Sequence, residues 1–164
     1  MKYAHADYAF SLSQDLIDKI EKEAAKYPSR RAAVKSALRY CQDQVGWISD
    51  EVVRAVSSHL GLQPIEVYEV ATFYDMFYTE PVGKYQIRVC TNVSCMLRGA
   101  EVIVDSLKEK LEIEIGETSS DGRFTLLEAE CLGACGGAPM LICNNQYYEN
   151  LTVDQLDSLL HRLD

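Results

Sequence analysis

No stretch of this chain approaches the ~20 consecutive apolar residues that a membrane span requires, so no direct membrane insertion is expected. Positive charge is scarce: 16 Lys and Arg stand against 25 Asp and Glu, for a formal net charge of −9. Phosphate backbones and anionic headgroups are bound largely through Lys and Arg, so nucleic acid is not an expected partner. Histidine is sparse, and His5, His59 and His161 are isolated, with no partner at ligand spacing. The motifs of nucleotide and hydrolase chemistry are missing as well. There is no G-x-G-x-x-G after a strand, no Walker loop, no H-E-x-x-H and no G-x-S-x-G. The opening MKYAHADYAF has neither a basic n-region with an apolar core nor an Arg-rich amphipathic character, so no secretory or transit peptide is expected. Internal repeats and low-complexity segments are absent too.

What is present is the composition of a soluble globular protein, with 48% apolar and 25% charged residues in 164. A chain of this size buries ~70% of its unfolded surface, enough to fold without disulfides or metal. It has room for one ordinary domain or two small ones. Six cysteines could pair, but closely spaced cysteines in a long chain without an export signal point to metal binding or catalysis in a reducing cytoplasm.

The first half reads as helical. Ser11 with Gln14 suggests a capping box, followed by Leu12, Ile17 and Ile20 and a stop at Pro28. A second helix is predicted from Arg31 to Val45, closed by Gly46. Ser49 caps a third, with Asp50 and Glu51 in the first turn as the helix dipole favours and Gly61 at its end. Pro64 opens a fourth, carrying Val67, Val70, Ala71 and Phe73. Phe73, Tyr74, Phe77 and Tyr78 form two i, i+4 pairs, suited either to packing on the second half or to a protein interface. The pattern changes at Thr79–Gly83, which gives residues 1–80 as a helical domain and 81–164 as a second domain.

In that second domain Tyr85, Ile87 and Val89 alternate along a strand that runs into Cys90. A helix is predicted from Arg98 to Leu111, then strands over Phe124–Glu130, Pro139–Cys143 and Gln146–Tyr148. A last helix is capped by Thr152 and Gln155. The fold class is α+β: about four helices, then an α/β domain whose sheet is covered by two helices.

Four cysteines organise this second half. Cys90 and Cys95 are separated by four residues, Cys131 and Cys135 by three, and each pair follows a strand. Both pairs can therefore sit at one sheet edge. Gly133, Gly136 and Gly137 permit backbone N–H groups to turn toward sulfur. Cys95 just precedes the predicted helix, whose N-terminus would stabilise a thiolate. A Cys₄ iron–sulfur site fits best, since C-x₄-C is one half of plant-type ferredoxin ligation. Structural Cys₄ zinc is the main rival. A dithiol redox pair lacks the C-x-x-C spacing, and four unrelated buried cysteines would not need the glycines and turns. Cys41 and Cys143 lie at core positions and read as small buried hydrophobes. A redox metal without a nucleotide or substrate motif describes an electron carrier or a subunit, not a complete enzyme.

VATFYDMF, the EPVGKY turn, VCTNVSCMLRGAE, DGRFTLLEAECLGACGGAP and YYENLT closely resemble the thioredoxin-like 2Fe–2S ferredoxin family, the E-type subunits of NADH:quinone oxidoreductase. The resemblance runs from about Ser11 to Leu163. It implies a thioredoxin-like second domain and one 2Fe–2S cluster held by Cys90, Cys95, Cys131 and Cys135. It also implies a flavin- and NADH-binding partner subunit that carries FMN, and a larger iron–sulfur subunit of the same peripheral arm. The role implied is single-electron exchange with that flavin, in a cytoplasmic position peripheral to the inner membrane. Four thiolates in an acidic chain point to a low reduction potential, unless backbone amides and Arg88 or Arg98 offset the charge. Related subunits serve NAD-linked hydrogenases and formate dehydrogenases.

Overall fold

The computed structural model describes residues 10–163, and the chain divides into two compact units after Pro81. The reading of MKYAHADYAF, His5 included, falls on residues outside that range except for Phe10. Among the described residues the architecture is mixed α+β, with seven α-helices and one four-stranded sheet.

The first unit holds α1 (Gln14–Ala24), α2 (Val34–Val45), α3 (Asp50–Leu60) and α4 (Pro64–Phe73). The N-cap of α1 is Ser13, not Ser11: its hydroxyl accepts from the Leu16 N–H at 3.3 Å. Gln14 instead donates along the helix to Asp18 at 2.8 Å. The helix ends before Pro28 because Lys26 and Tyr27 bond three residues back, to the Glu23 and Ala24 carbonyls, and tighten the chain out of α geometry. The predicted start at Arg31 is a 3₁₀ turn over Arg30–Ala33, and α2 proper begins at Val34. Ser49 caps α3 by accepting from the Val52 N–H at 3.3 Å. Gly46 and Gly61 end α2 and α3 in the left-handed conformation. Ile20, Leu38, Val52, Val56 and Val67 meet in a core with Cys41.

The aromatic run departs from the helical reading. Helix α4 stops at Phe73, and Tyr74 is extended. Gln42 then clamps the segment, donating to the Met76 carbonyl at 2.9 Å and accepting from the Tyr78 N–H at 2.8 Å. Phe77 turns into the unit's own core, and Tyr74 packs edge-on against both Phe73 and Phe77. Phe73 itself is 78% exposed.

The second unit is built on strands β1 (Tyr85–Cys90), β2 (Phe124–Ala129), β3 (Leu141–Cys143) and β4 (Gln146–Tyr148), in the order β2-β1-β3-β4. β1 and β2 are parallel; β3 is antiparallel to both β1 and β4. The helix predicted over Arg98–Leu111 is α6 (Ala100–Leu111), and an unpredicted short helix, α5 (Val93–Leu97), precedes it, set apart where Gly99 takes φ +90°. Helix α7 (Val153–Arg162) starts at the expected Thr152–Gln155 capping box. Ile87, Leu126 and Leu141 on one face of the sheet share a core with Leu107 of α6 and Leu156 and Leu159 of α7. The opposite face carries Arg88, Ile142 and Tyr147 in one row across three strands. β3 begins at Leu141, not Pro139, because proline has no N–H to give a ladder.

Candidate metal centre

Strand direction decides where the cysteines lie. In the parallel pair Cys90 stands opposite Ala129, so β1 and β2 finish at the same edge. β3 runs the other way and begins there, with Leu141 opposite Val89. Two connections therefore converge: the one from β1 into α5, and the one from β2 to β3 that bears Cys131 and Cys135. Backbone bonds stitch them together, from Thr91 N–H to the Ala129 carbonyl at 3.0 Å and from Cys90 N–H to the Met140 carbonyl at 3.1 Å. At this edge the Cys90 side chain hydrogen-bonds with those of both Cys95 and Cys131. Cys95 in turn lies within the field of Cys135. Cys90 and Cys95 are buried, while Cys131 and Cys135 are exposed.

Cys95 does not precede a helix as predicted; it lies inside the short α5, and α6 begins five residues later. The dipole argument for its thiolate therefore fails. Burial is the largest influence on the Cys95 thiol and pushes it up to about 11, with adjacent Cys90 adding to the shift and the Met140 backbone opposing it. Cys90 goes the other way. Burial raises it, but the backbone N–H groups of Asn92 and Leu132 and the thiols of Cys95 and Cys131 donate to its sulfur. The net effect holds Cys90 below the usual thiol range.

The loop of the second pair depends on two of its three glycines. Gly133 adopts φ +76°, and its N–H donates to Cys131 Sγ at 3.4 Å. A Cβ on Gly137 would overlap the carboxylate of Glu149, and the Gly137 carbonyl accepts from the Asn150 N–H at 2.6 Å. Gly136 has open space around it and ordinary backbone torsions. Sequence reasoning passed over Tyr147, whose hydroxyl donates to the Leu132 carbonyl at 3.1 Å. The signal was available in strand alternation, which sends Tyr148 toward the helix-covered core and Tyr147 to the face that carries Cys90.

Among the described residues, no three His, Cys, Asp or Glu side chains form a ready-made group for a metal ion, and the four thiols are related pairwise. The donor set is nonetheless of a kind that suits an iron–sulfur group. It consists of free thiols only, with backbone N–H groups aimed at Cys90, Cys95 and Cys131. Cys41 and Cys143 stand apart in the two apolar cores, where burial pushes their thiols up to about 12 and about 11. His59 is not isolated: its Nε2 lies 2.7 Å from a Glu21 oxygen, beside the Arg30–Glu21 ion pair. His161 also has an interaction of its own.

A mixed sheet with helices on one face and two thiol pairs at one edge is the build of a thioredoxin-like ferredoxin. Residues 20–164 match the family model of the thioredoxin-like 2Fe–2S ferredoxins, and the chain belongs to that family. Among individual relatives, it is 45% identical over 143 residues to the second E-type subunit of the Rhizobium meliloti NADH-quinone oxidoreductase, covering 87% of this chain and 85% of that one. The E-type subunit of the Rickettsia conorii NADH-quinone oxidoreductase is 40% identical, with 94% of each chain covered. The mitochondrial NADH dehydrogenase (ubiquinone) flavoprotein 2 of Dictyostelium discoideum is 42% identical, and this chain spans 64% of its length. An NAD⁺-reducing NiFe-hydrogenase in the air-oxidised state shares the fold, with a TM-score of 0.71 at 23% identity. That likeness covers 79% of this chain and 22% of the hydrogenase chain.

Proposed function

We propose that this chain is the electron-carrying subunit of an NADH:quinone oxidoreductase and holds one 2Fe–2S cluster through Cys90, Cys95, Cys131 and Cys135. The observation that carries this reading is the strand register that gathers two sequence-distant thiol pairs at one sheet edge, among backbone N–H donors. When bound, such a cluster supplies reversible one-electron chemistry. The chain's own residues supply the rest. The four thiolates bind, and burial of Cys90 and Cys95 keeps water from one side of the site. Amides of Asn92, Leu132, Gly133 and Met140 offset the negative charge that accumulates on sulfur. No bond-making chemistry falls to this chain.

The electron donor and acceptor is the FMN of an NADH-binding partner subunit, which accounts for a redox chain without a nucleotide motif. The larger iron–sulfur subunit of the peripheral arm is the second neighbour. Residues 1–80 serve in docking to these partners, and the assembly sits at the cytoplasmic side of the inner membrane. Among the described residues, no helix is long and apolar enough to cross a membrane. The equivalent subunit of an NAD-linked hydrogenase is the second reading, favoured by the fold likeness to the NAD⁺-reducing enzyme.

Anaerobic purification tests the proposal. The chain is expected to be brown, with equal iron and acid-labile sulfide, a paramagnetic signal after reduction, and a co-purifying flavoprotein. Colourless protein with stoichiometric zinc would overturn it. Cys131→Ala is expected to lose the cluster and Cys143→Ala to keep it; the reverse pattern contradicts the ligand set.

A further inference from the structure

The peptide group between Leu132 and Gly133 is engaged at both ends. Its N–H donates to Cys131 Sγ at 3.4 Å, and its carbonyl accepts from the Tyr147 hydroxyl at 3.1 Å. The two bonds share one conjugated amide, so the phenol draws electron density toward the carbonyl oxygen and leaves the N–H a stronger donor to sulfur. The positive φ of Gly133 lets this peptide present its N–H to the thiol. Leu132 contributes from its other side, its own N–H reaching Cys90. Two successive N–H groups, of Leu132 and Gly133, thus serve two sulfurs, and Tyr147 is the side chain that holds the carbonyl between them.

Tyr147 reaches the site because of sheet register. It pairs with Ile142, which pairs with Arg88, two residues before Cys90 on the same face. Its neighbour Tyr148 points the other way and packs on the hydrophobic core. The helix-covered core does not need Tyr147, which is 49% exposed.

We infer that Tyr147 is a positioning residue for the redox centre: through the Leu132–Gly133 peptide it strengthens the N–H bond to Cys131 and so raises the reduction potential of the group the cysteines hold. This inference rests on the ligand reading proposed above. Its direction follows from charge. The reduced centre carries one more negative charge than the oxidised centre, so a stronger donor to sulfur stabilises the reduced form more.

The test is a redox titration of the full chain as wild type, Tyr147→Phe and Tyr148→Phe. Tyr147→Phe is expected to keep wild-type iron and sulfide while its reduced-to-oxidised ratio at the wild-type midpoint falls at least threefold. That ratio corresponds to a downward shift of about 28 mV, from 59 mV per tenfold for one electron. Tyr148→Phe should leave the midpoint in place. An unchanged midpoint in cluster-loaded Tyr147→Phe, or an equal shift in both variants, overturns the inference. A second measurement on the cluster-free chain covers the case in which Tyr147→Phe loads poorly. There the Gly133 amide proton is expected to move upfield in the variant, and an unmoved resonance overturns the inference. Wild-type protein that binds no iron and sulfide would instead sink the ligand reading, and the amide measurement still reports on the hydrogen-bond relay.

Discussion

At the residue scale, five of the six cysteines separate into two populations by what surrounds their sulfur. Cys90, Cys95 and Cys131 have backbone N–H donors, whereas Cys41 and Cys143 lie in apolar cores where burial is what shifts their thiols. The buried pair makes a prediction about pH. The thiol of an unfolded chain ionises near 9, but burial holds Cys41 neutral to about 12 and Cys143 to about 11. Above 9 the unfolded state therefore releases protons that the folded state retains, and stability falls as pH rises; below 9 neither thiol contributes a slope. Each can remove up to about 1.4 kcal/mol per pH unit within its window. Thermal melts between pH 8 and 11 should show this decline, and Cys41→Ala should flatten it even though the variant starts from a lower melting temperature. A steeper alkaline decline in Cys41→Ala would contradict the assignment.

At the element scale, the helix ends chosen by capping chemistry were the most readable features of the sequence. Ser49, Gly46, Gly61, Pro64 and the Thr152–Gln155 pair all sit where local hydrogen bonding places them. Ser49→Ala should accordingly cost about 1 kcal/mol of stability in chemical denaturation. A loss below a few tenths would mean that the cap is replaced by water at no cost. The elements misread were those decided by distant partners. Nothing local to the aromatic run announces that Gln42, over thirty residues earlier, will hold it in an extended path. The short α5 ahead of Gly99 was missed for a different reason, because five residues are too few to show a helical repeat. The cysteine quartet was legible from spacing because both pairs follow strands. Tyr147 was not, because its role depends on which strand β4 pairs with and in what register.

For the whole molecule, two separate apolar cores imply two separable folding units. Residues 82–164 contain every strand among the described residues and all four proposed ligands. Expressed alone, they should fold and take up iron and sulfide, whereas co-purification of the flavoprotein should require the helical unit as well. Retention of the flavoprotein by residues 82–164 alone would assign docking to the second unit. The low potential expected for four thiolates in a chain of net charge −9 is likewise a property of the whole protein, read by the same titration that tests Tyr147.

The meeting of three strand ends at one edge also has a consequence in time. The chain leaves the ribosome from its N-terminus, and Cys90 and Cys95 emerge well before the segments that fix them. Cys90 waits for the Met140 carbonyl, and the loop of the second pair waits for Asn150 and Leu151, whose N–H groups hold Gly137 and Pro139. The receptacle is therefore complete only once Leu151 has been made. A nascent chain stalled before residue 140 would display its first thiols as loose, oxidisable side chains, so metal loading belongs after residue 151 has emerged, on a finished edge.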